Sequence, residues 1–167
     1  IDPSNEQLAS WLYGDFGHMA IRLLLRQFEE TRVEQFNIVG NIDLIVSGYP
    51  VETKITLARD LEPKAHYLIQ LCSYMVLMKS LIGYLLILGI SPRVKRRFAV
   101  YEISVDQYEF ERIKSDMLIR RDELLKAFST KDPSKLDYIK DSLYLDWQCK
   151  YCPFIEECDK LHGKRIS

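Results

Sequence analysis

No stretch of this 167-residue chain is apolar for long enough to cross a bilayer. The longest apolar run, residues 81–90, is broken by Gly83, Tyr84 and Gly89 and reads as a buried strand. Charge of one sign is also scarce. The 23 basic and 24 acidic residues leave a net charge of −1, so any affinity for a polyanion must come from local patches. Cysteine is sparse, with four in all and three of them near the C-terminus. No secretory segment is visible, so disulfides are not expected and a cytoplasmic location is. No P-loop is present, which argues against a built-in helicase. No internal repeat or low-complexity tract appears either. An apolar share of 47% is ordinary for a globular chain, and residues 1–167 are expected to form a single domain with its own core. The chain opens Ile1-Asp2-Pro3-Ser4 without an initiator Met, the expectation for a trimmed or tagged N-terminus.

What the chain does contain is two carboxylates and a lysine within a dozen residues. Segment 37–46 alternates and is rich in Ile, Val and Leu. Ser47-Gly48 supplies a turn, and segment 51–55 alternates again, which predicts a β-hairpin. Side chains two apart on a strand share a face, so Glu52 and Lys54 point the same way. A two-residue loop would set Asp43 opposite Glu52, and a loop over 47–50 would set it opposite Lys54. Either register brings Asp43 to the Glu52 face. Two carboxylates on one face suit Mg²⁺ or Mn²⁺, and an adjacent ammonium can orient a water and offset charge on a phosphate. The bland alternative is a cross-strand salt bridge.

Helices are expected over 62–82, with Pro63 at the start, and over 11–30. The first carries an apolar stripe of Leu68, Leu71, Cys72, Met75 and Met78, with Gln70 and Tyr74 one turn apart on another face. The second places His18, Arg22 and Arg26 on one line, suited to an anionic ligand or else to solvent. A basic cluster at Arg93, Lys95, Arg96 and Arg97 lies between expected strands at 84–88 and 98–103. A long helix is expected over 105–128, with Val105, Phe110, Ile113, Met117, Leu124 and Leu125 on or near its apolar face. A short helix is expected within 136–147. The resulting order of helix, hairpin, helix, hairpin, helix predicts an α/β sandwich around a mixed sheet.

The order of motifs is a His on a first helix, G-x-x-D on a strand (Gly40 to Asp43), E-x-K on the next (Glu52 to Lys54), then Q-x-x-x-Y on a helix. This resembles the RecB-like branch of the PD-(D/E)xK nuclease superfamily. Cys149, Cys152 and Cys158 form C-x2-C-x5-C, with Pro153 after the second, which is similar to the iron–sulfur nucleases of the CRISPR-associated Cas-four family. The resemblance spans His18 to Cys158. It implies a restriction-endonuclease-like αβ sandwich, with a central mixed sheet flanked by helices. It also implies Mg²⁺- or Mn²⁺-dependent cleavage of DNA, as a single-strand exonuclease or end-trimming enzyme in spacer acquisition or repair, with CRISPR adaptation proteins as partners. By the same resemblance His18, Asp43, Glu52 and the carbonyl of Thr53 hold the metal. Asp43, Glu52 and Lys54 are catalytic, and Gln70 and Tyr74 contact DNA and support the site. Arg22 and Arg26, on the helical line of His18, are expected from that spacing to contact DNA as well. No membrane association is implied.

The family's iron–sulfur cluster uses a fourth cysteine before the motif histidine, and this chain has none there. Cys149, Cys152, Cys158 and His162 also make C-x2-C-x5-C-x3-H, a plausible zinc set within the C-terminal cysteine-rich segment 147–162. Bare thiols are the third option. The runner-up function is a weakly active or inactive nucleic-acid-binding assembly subunit of the same fold. A zinc-stabilised interaction domain is a further reading.

Overall fold

Two tight turns organise the first half of the fold. In the computed structural model, which describes residues 14–15, 17–19, 30–57, 60–90 and 98–131, strands β1 (Thr31–Gln35) and β2 (Ile38–Ile42) pair antiparallel around Phe36-Asn37. Both turn residues have positive φ, 57° and 58°. Strands β3 (Leu44–Val46) and β4 (Tyr49–Thr56) pair the same way around Ser47-Gly48, at φ 52° and 85°. Two consecutive positive-φ residues give a turn whose twist matches that of the strands it joins.

The single strand expected over 37–46 is therefore two strands, and they belong to different sheets. β1 and β2 form a two-stranded sheet, whereas β3 and β4 begin a four-stranded sheet of order β3-β4-β5-β6. The break falls at Asp43. Ile42 and Leu44 on either side are both almost wholly buried, but in different clusters. The chain bends there because its two neighbours fill two separate cores. β1 itself was not expected from the sequence.

Helix α1 (Ala65–Met78) connects β4 to β5 (Ile82–Gly89), which runs parallel to it; β6 (Phe98–Ser104) closes the sheet antiparallel to β5. The sheet is thus mixed. Along β5, Gly83, Leu85, Ile87 and Gly89 are buried and alternate with half-buried residues. Leu71 and Met75 of α1 pack on Leu85, Ile87 and Ala99. A Cβ on Gly83 would come within 2.9 Å of Leu71 Cδ1 and 3.0 Å of Met75 Cγ, so glycine lets the helix approach the strand. The other face carries Val51, Ile55, Tyr84, Leu86 and Leu88. There the helical residue Gly17 abuts the Ile55 side chain. The molecule is an α/β structure with helical residues on both faces of a mixed sheet.

α1 is shorter than the helix expected over 62–82. Pro63 lies outside it, Lys64 is the N-cap, and Lys79 ends it in the left-handed conformation at φ 55°, with its N–H donating to the Met75 and Val76 carbonyls. Its buried face also extends beyond the expected stripe, to Tyr74, Val76 and Leu77; Tyr74 and Leu77 are covered because the β1–β2 hairpin packs on a second side. Helix α2 (Gln107–Thr130) starts after Asp106, whose carboxylate accepts the Glu109 N–H at 2.8 Å. Val105 precedes this helix. Phe110 is buried and Met117 packs beside the Ile42–Tyr74–Leu77 cluster, but Leu124 and Leu125 are exposed, contrary to expectation.

The chain divides into two compact units, Pro3–Leu118 and a second of Ile1–Asp2 with Ile119–Ser167. All six strands and α1 belong to the first. Of the second, residues 119–131 are described, and 119–130 are the C-terminal part of α2. No helix among the described residues is long and apolar enough to cross a membrane.

Candidate active site

Strand β4 carries the site on both of its faces. Glu52 and Lys54 share the face towards α1, while Thr53 points to the opposite face with Val51 and Ile55. Glu52 is fully buried at 0% exposure. The Lys54 ammonium contacts Glu52 Oε1 as an ion pair, and among the described residues no other donor reaches the carboxylate. A buried carboxylate so poorly solvated resists ionisation. Burial first, and the charge of Asp43 second, push the Glu52 carboxyl up from 4.5 to about 7, against the opposing pull of Lys54.

Lys54 is held on a second side by Gln70, whose Oε1 accepts a hydrogen bond from Nζ at 2.8 Å. Gln70 Nε2 in turn donates to the Tyr74 hydroxyl at 2.9 Å. The i, i+4 pair read from the sequence is thus one continuous chain, Glu52–Lys54–Gln70–Tyr74. The Tyr74 ring lies against Gly40, where a Cβ would come within 3.2 Å of Cε1 and within 2.7 Å of Leu77 Cδ1. Gly40 therefore fixes the seat of Tyr74, a role that the sequence did not suggest. Tyr67 was also missed. The Lys54 ammonium stands 5.5 Å from its ring centroid, within cation–π range. Its position three residues before Gln70 puts both on one helix face, so helical spacing could have found it.

Asp43 is reached differently from the expectation. The two-residue turn sets Leu44 opposite Val51, and one further step would set Asp43 opposite Glu52. Asp43 instead leaves the ladder at a bend, and its Oδ2 accepts both the Thr53 N–H and the Thr53 hydroxyl, each at 2.8 Å. Asp43 is buried at 7% exposure and Thr53 at 1%. The two carboxylates are therefore electrostatic neighbours, with Asp43 anchored to Thr53 rather than sharing the Lys54 face. His18 joins from the N-terminal helical residues. Its Nδ1 lies 2.9 Å from Thr53 Oγ1 and 3.6 Å from Asp43 Oδ2. The sequence reading assigned only the Thr53 carbonyl; the hydroxyl at the centre of this network was missed.

The structure thus brings together His18, Asp43, Glu52, Thr53, Lys54, Gln70 and Tyr74. As they stand, the described residues contain no group of three or more His, Cys, Asp and Glu side chains arranged around one cation. The donor chemistry still suits a hard cation: a wholly buried carboxylate, its Oε2 without a partner among the described residues, beside a second buried carboxylate. Cys72 is half-buried against the Leu71–Met75 core, and burial pushes its thiol up, as a packing residue. Arg22, Arg26, the basic cluster at 93–97, the helix expected within 136–147, Cys149, Cys152, Cys158 and His162 lie outside the described residues.

No protein-family model matches the chain, and no curated protein matches it. Among solved structures, the fold is similar to the crystal structure of SSO0001, with a TM-score of 0.56 and 22% sequence identity over 94% of this chain and 72% of that one. At that identity the likeness concerns the fold.

Proposed function

We propose that this chain is a divalent-metal-dependent deoxyribonuclease of the RecB-like PD-(D/E)xK kind, similar to the Cas-four family, with a restriction-endonuclease-like sandwich as its scaffold. The observation that carries the reading is Glu52. A carboxylate with no exposure, a single ammonium as its partner and a buried Asp43 nearby is an unfavourable arrangement for stability. Such an arrangement is expected where a cation is to be received. Asp43, Glu52, the Thr53 carbonyl and His18 would hold the ion. When bound, the ion supplies Lewis acidity to a water and to a phosphodiester oxygen. Lys54, fixed by Gln70, keeps a positive charge beside that centre, where it can orient the attacking water and offset charge on the phosphate. Tyr74 holds Gln70 in place and offers an aromatic plane near the DNA. Burial of Glu52, Asp43 and Thr53 limits competing solvent at the reacting atoms.

The test is cleavage of end-labelled single-stranded DNA with Mn²⁺, comparing the wild type with Glu52→Gln. Wild-type cleavage that the variant lacks supports the reading. Equal cleavage by both overturns it. Binding of DNA without cleavage by the wild type would instead assign the chain to the assembly-subunit reading.

A further inference from the structure

The Thr53 hydroxyl has two close partners and one proton to give. At 2.8 Å from Asp43 Oδ2, a separation at which two facing lone pairs would repel, the proton must go to that oxygen. Oδ2 also accepts the Thr53 backbone N–H at 2.8 Å, as an unprotonated carboxylate oxygen does. The hydroxyl is thereby committed as a donor to Asp43. It can then only accept at its other contact, 2.9 Å from His18 Nδ1. That nitrogen must carry the ring proton. The 3.6 Å approach of Asp43 Oδ2 to the same nitrogen favours a proton there as well. A neutral imidazole protonated on Nδ1 has its lone pair on Nε2.

We propose that the Thr53 side chain is a positioning group that locks His18 in the Nδ1–H tautomer, so that Nε2 presents its lone pair to the divalent ion. The inference rests on the proposed role of His18 as a ligand, and it adds how the protein prepares that ligand. In ordinary solution an imidazole prefers its proton on Nε2, which leaves that nitrogen unable to coordinate. A partner that fixes the tautomer of a ligating histidine raises metal affinity without touching the metal. Thr53 does this with the same oxygen that braces Asp43. One buried hydroxyl, at 1% residue exposure, therefore sets the orientation of two ligands on different elements.

The experiment uses the full chain, at a pH where the ring is neutral. Long-range ¹H–¹⁵N correlation spectra of the imidazoles report the tautomer of His18 in the wild type, Thr53→Ser and Thr53→Val, with His18→Gln to assign the signal. Calorimetric titration with Mn²⁺ alone gives the affinity of each. The wild type and Thr53→Ser should show Nδ1–H. Thr53→Val is nearly isosteric and keeps the backbone N–H bond to Asp43. It should move towards Nε2–H and bind Mn²⁺ about tenfold or more weakly. An Nε2–H tautomer in the wild type overturns the proposal, and that spectrum suffices if Thr53→Val does not fold. A valine variant that keeps both the Nδ1–H tautomer and the Mn²⁺ affinity also overturns it. A wild type with Nδ1–H but no affinity for Mn²⁺ supports the lock and removes the nuclease reading instead.

Discussion

Glu52→Gln isolates the electrostatic cost of the site in the metal-free protein. The carboxyl is raised from 4.5 to about 7, chiefly by burial and then by Asp43. In the window between those values the native state holds a proton that the unfolded chain releases, so stability falls as pH rises through it. Below about 4.5 both states are protonated and the penalty is absent. Above about 7 it is complete. A shift of this size corresponds to roughly 3 kcal/mol. Glutamine has the same shape without the charge, so the variant should be more stable than the wild type by up to about 3 kcal/mol at pH 8 and nearly equal to it at pH 4.5. Urea unfolding across that range measures the difference. Mn²⁺ should reverse the ranking at pH 8, because binding to the folded wild type adds about 4.1 kcal/mol at a thousandfold excess over its dissociation constant. The variant should gain much less. A stability difference that is flat with pH, or a variant less stable at pH 8 without metal, would refute the argument that Glu52 is buried against its own charge.

Three further substitutions probe the neighbours. Asp43→Ala leaves the buried Thr53 N–H and hydroxyl without their acceptor, and should lower stability by about 1–3 kcal/mol in denaturant unfolding as well as abolish cleavage. Wild-type stability in that variant would mean that the bend holds without the carboxylate. Gly40→Ala sets a Cβ 2.7 Å from Leu77 Cδ1, so it should cost about 1–3 kcal/mol and lower the rate through displaced Tyr74 and Gln70; an unchanged melting temperature and rate would contradict the close contact. Lys54→Ala should reduce the cleavage rate roughly a hundredfold while Mn²⁺ affinity persists, as paired kinetics and calorimetry would reveal.

The parts of the site that could be read from the sequence are those fixed by a local period. Glu52 and Lys54 share a face because strand side chains alternate, and Gln70 meets Tyr74 because one helical turn separates them. β5 declared itself by its apolar run. The bend at Asp43 was hidden for the same kind of reason. Ile38, Gly40, Ile42, Leu44 and Val46 keep one unbroken alternation through it, so a period of two gives no sign that the strand changes sheet. β1 escaped because the turn beside it, Phe36-Asn37, has no glycine and places a phenylalanine at positive φ. The end of α1 was misplaced because Lys79, not a glycine, takes the left-handed cap. Leu124 and Leu125 kept helical spacing while remaining exposed, since periodicity reports a stripe and not what covers it.

The network around Thr53 was illegible for a stronger reason. Its bonds join residues 10 and 35 positions apart, and no local pattern encodes a contact of that span. The position between Glu52 and Lys54 looks like a spacer in the sequence, because its side chain falls on the face opposite theirs. That placement is what gives it a function. A strand presents alternate residues to two layers, so a site built at a strand can draw its acid and its ammonium from one side and its histidine from the other. The Thr53 backbone joins the two: its N–H anchors Asp43 while its side chain reaches His18. Replacing Thr53 by valine should therefore disturb the His18 side while leaving the Lys54–Gln70 bond on the other face intact. Loss of both together would mean that the two faces of β4 are coupled by more than the shared strand.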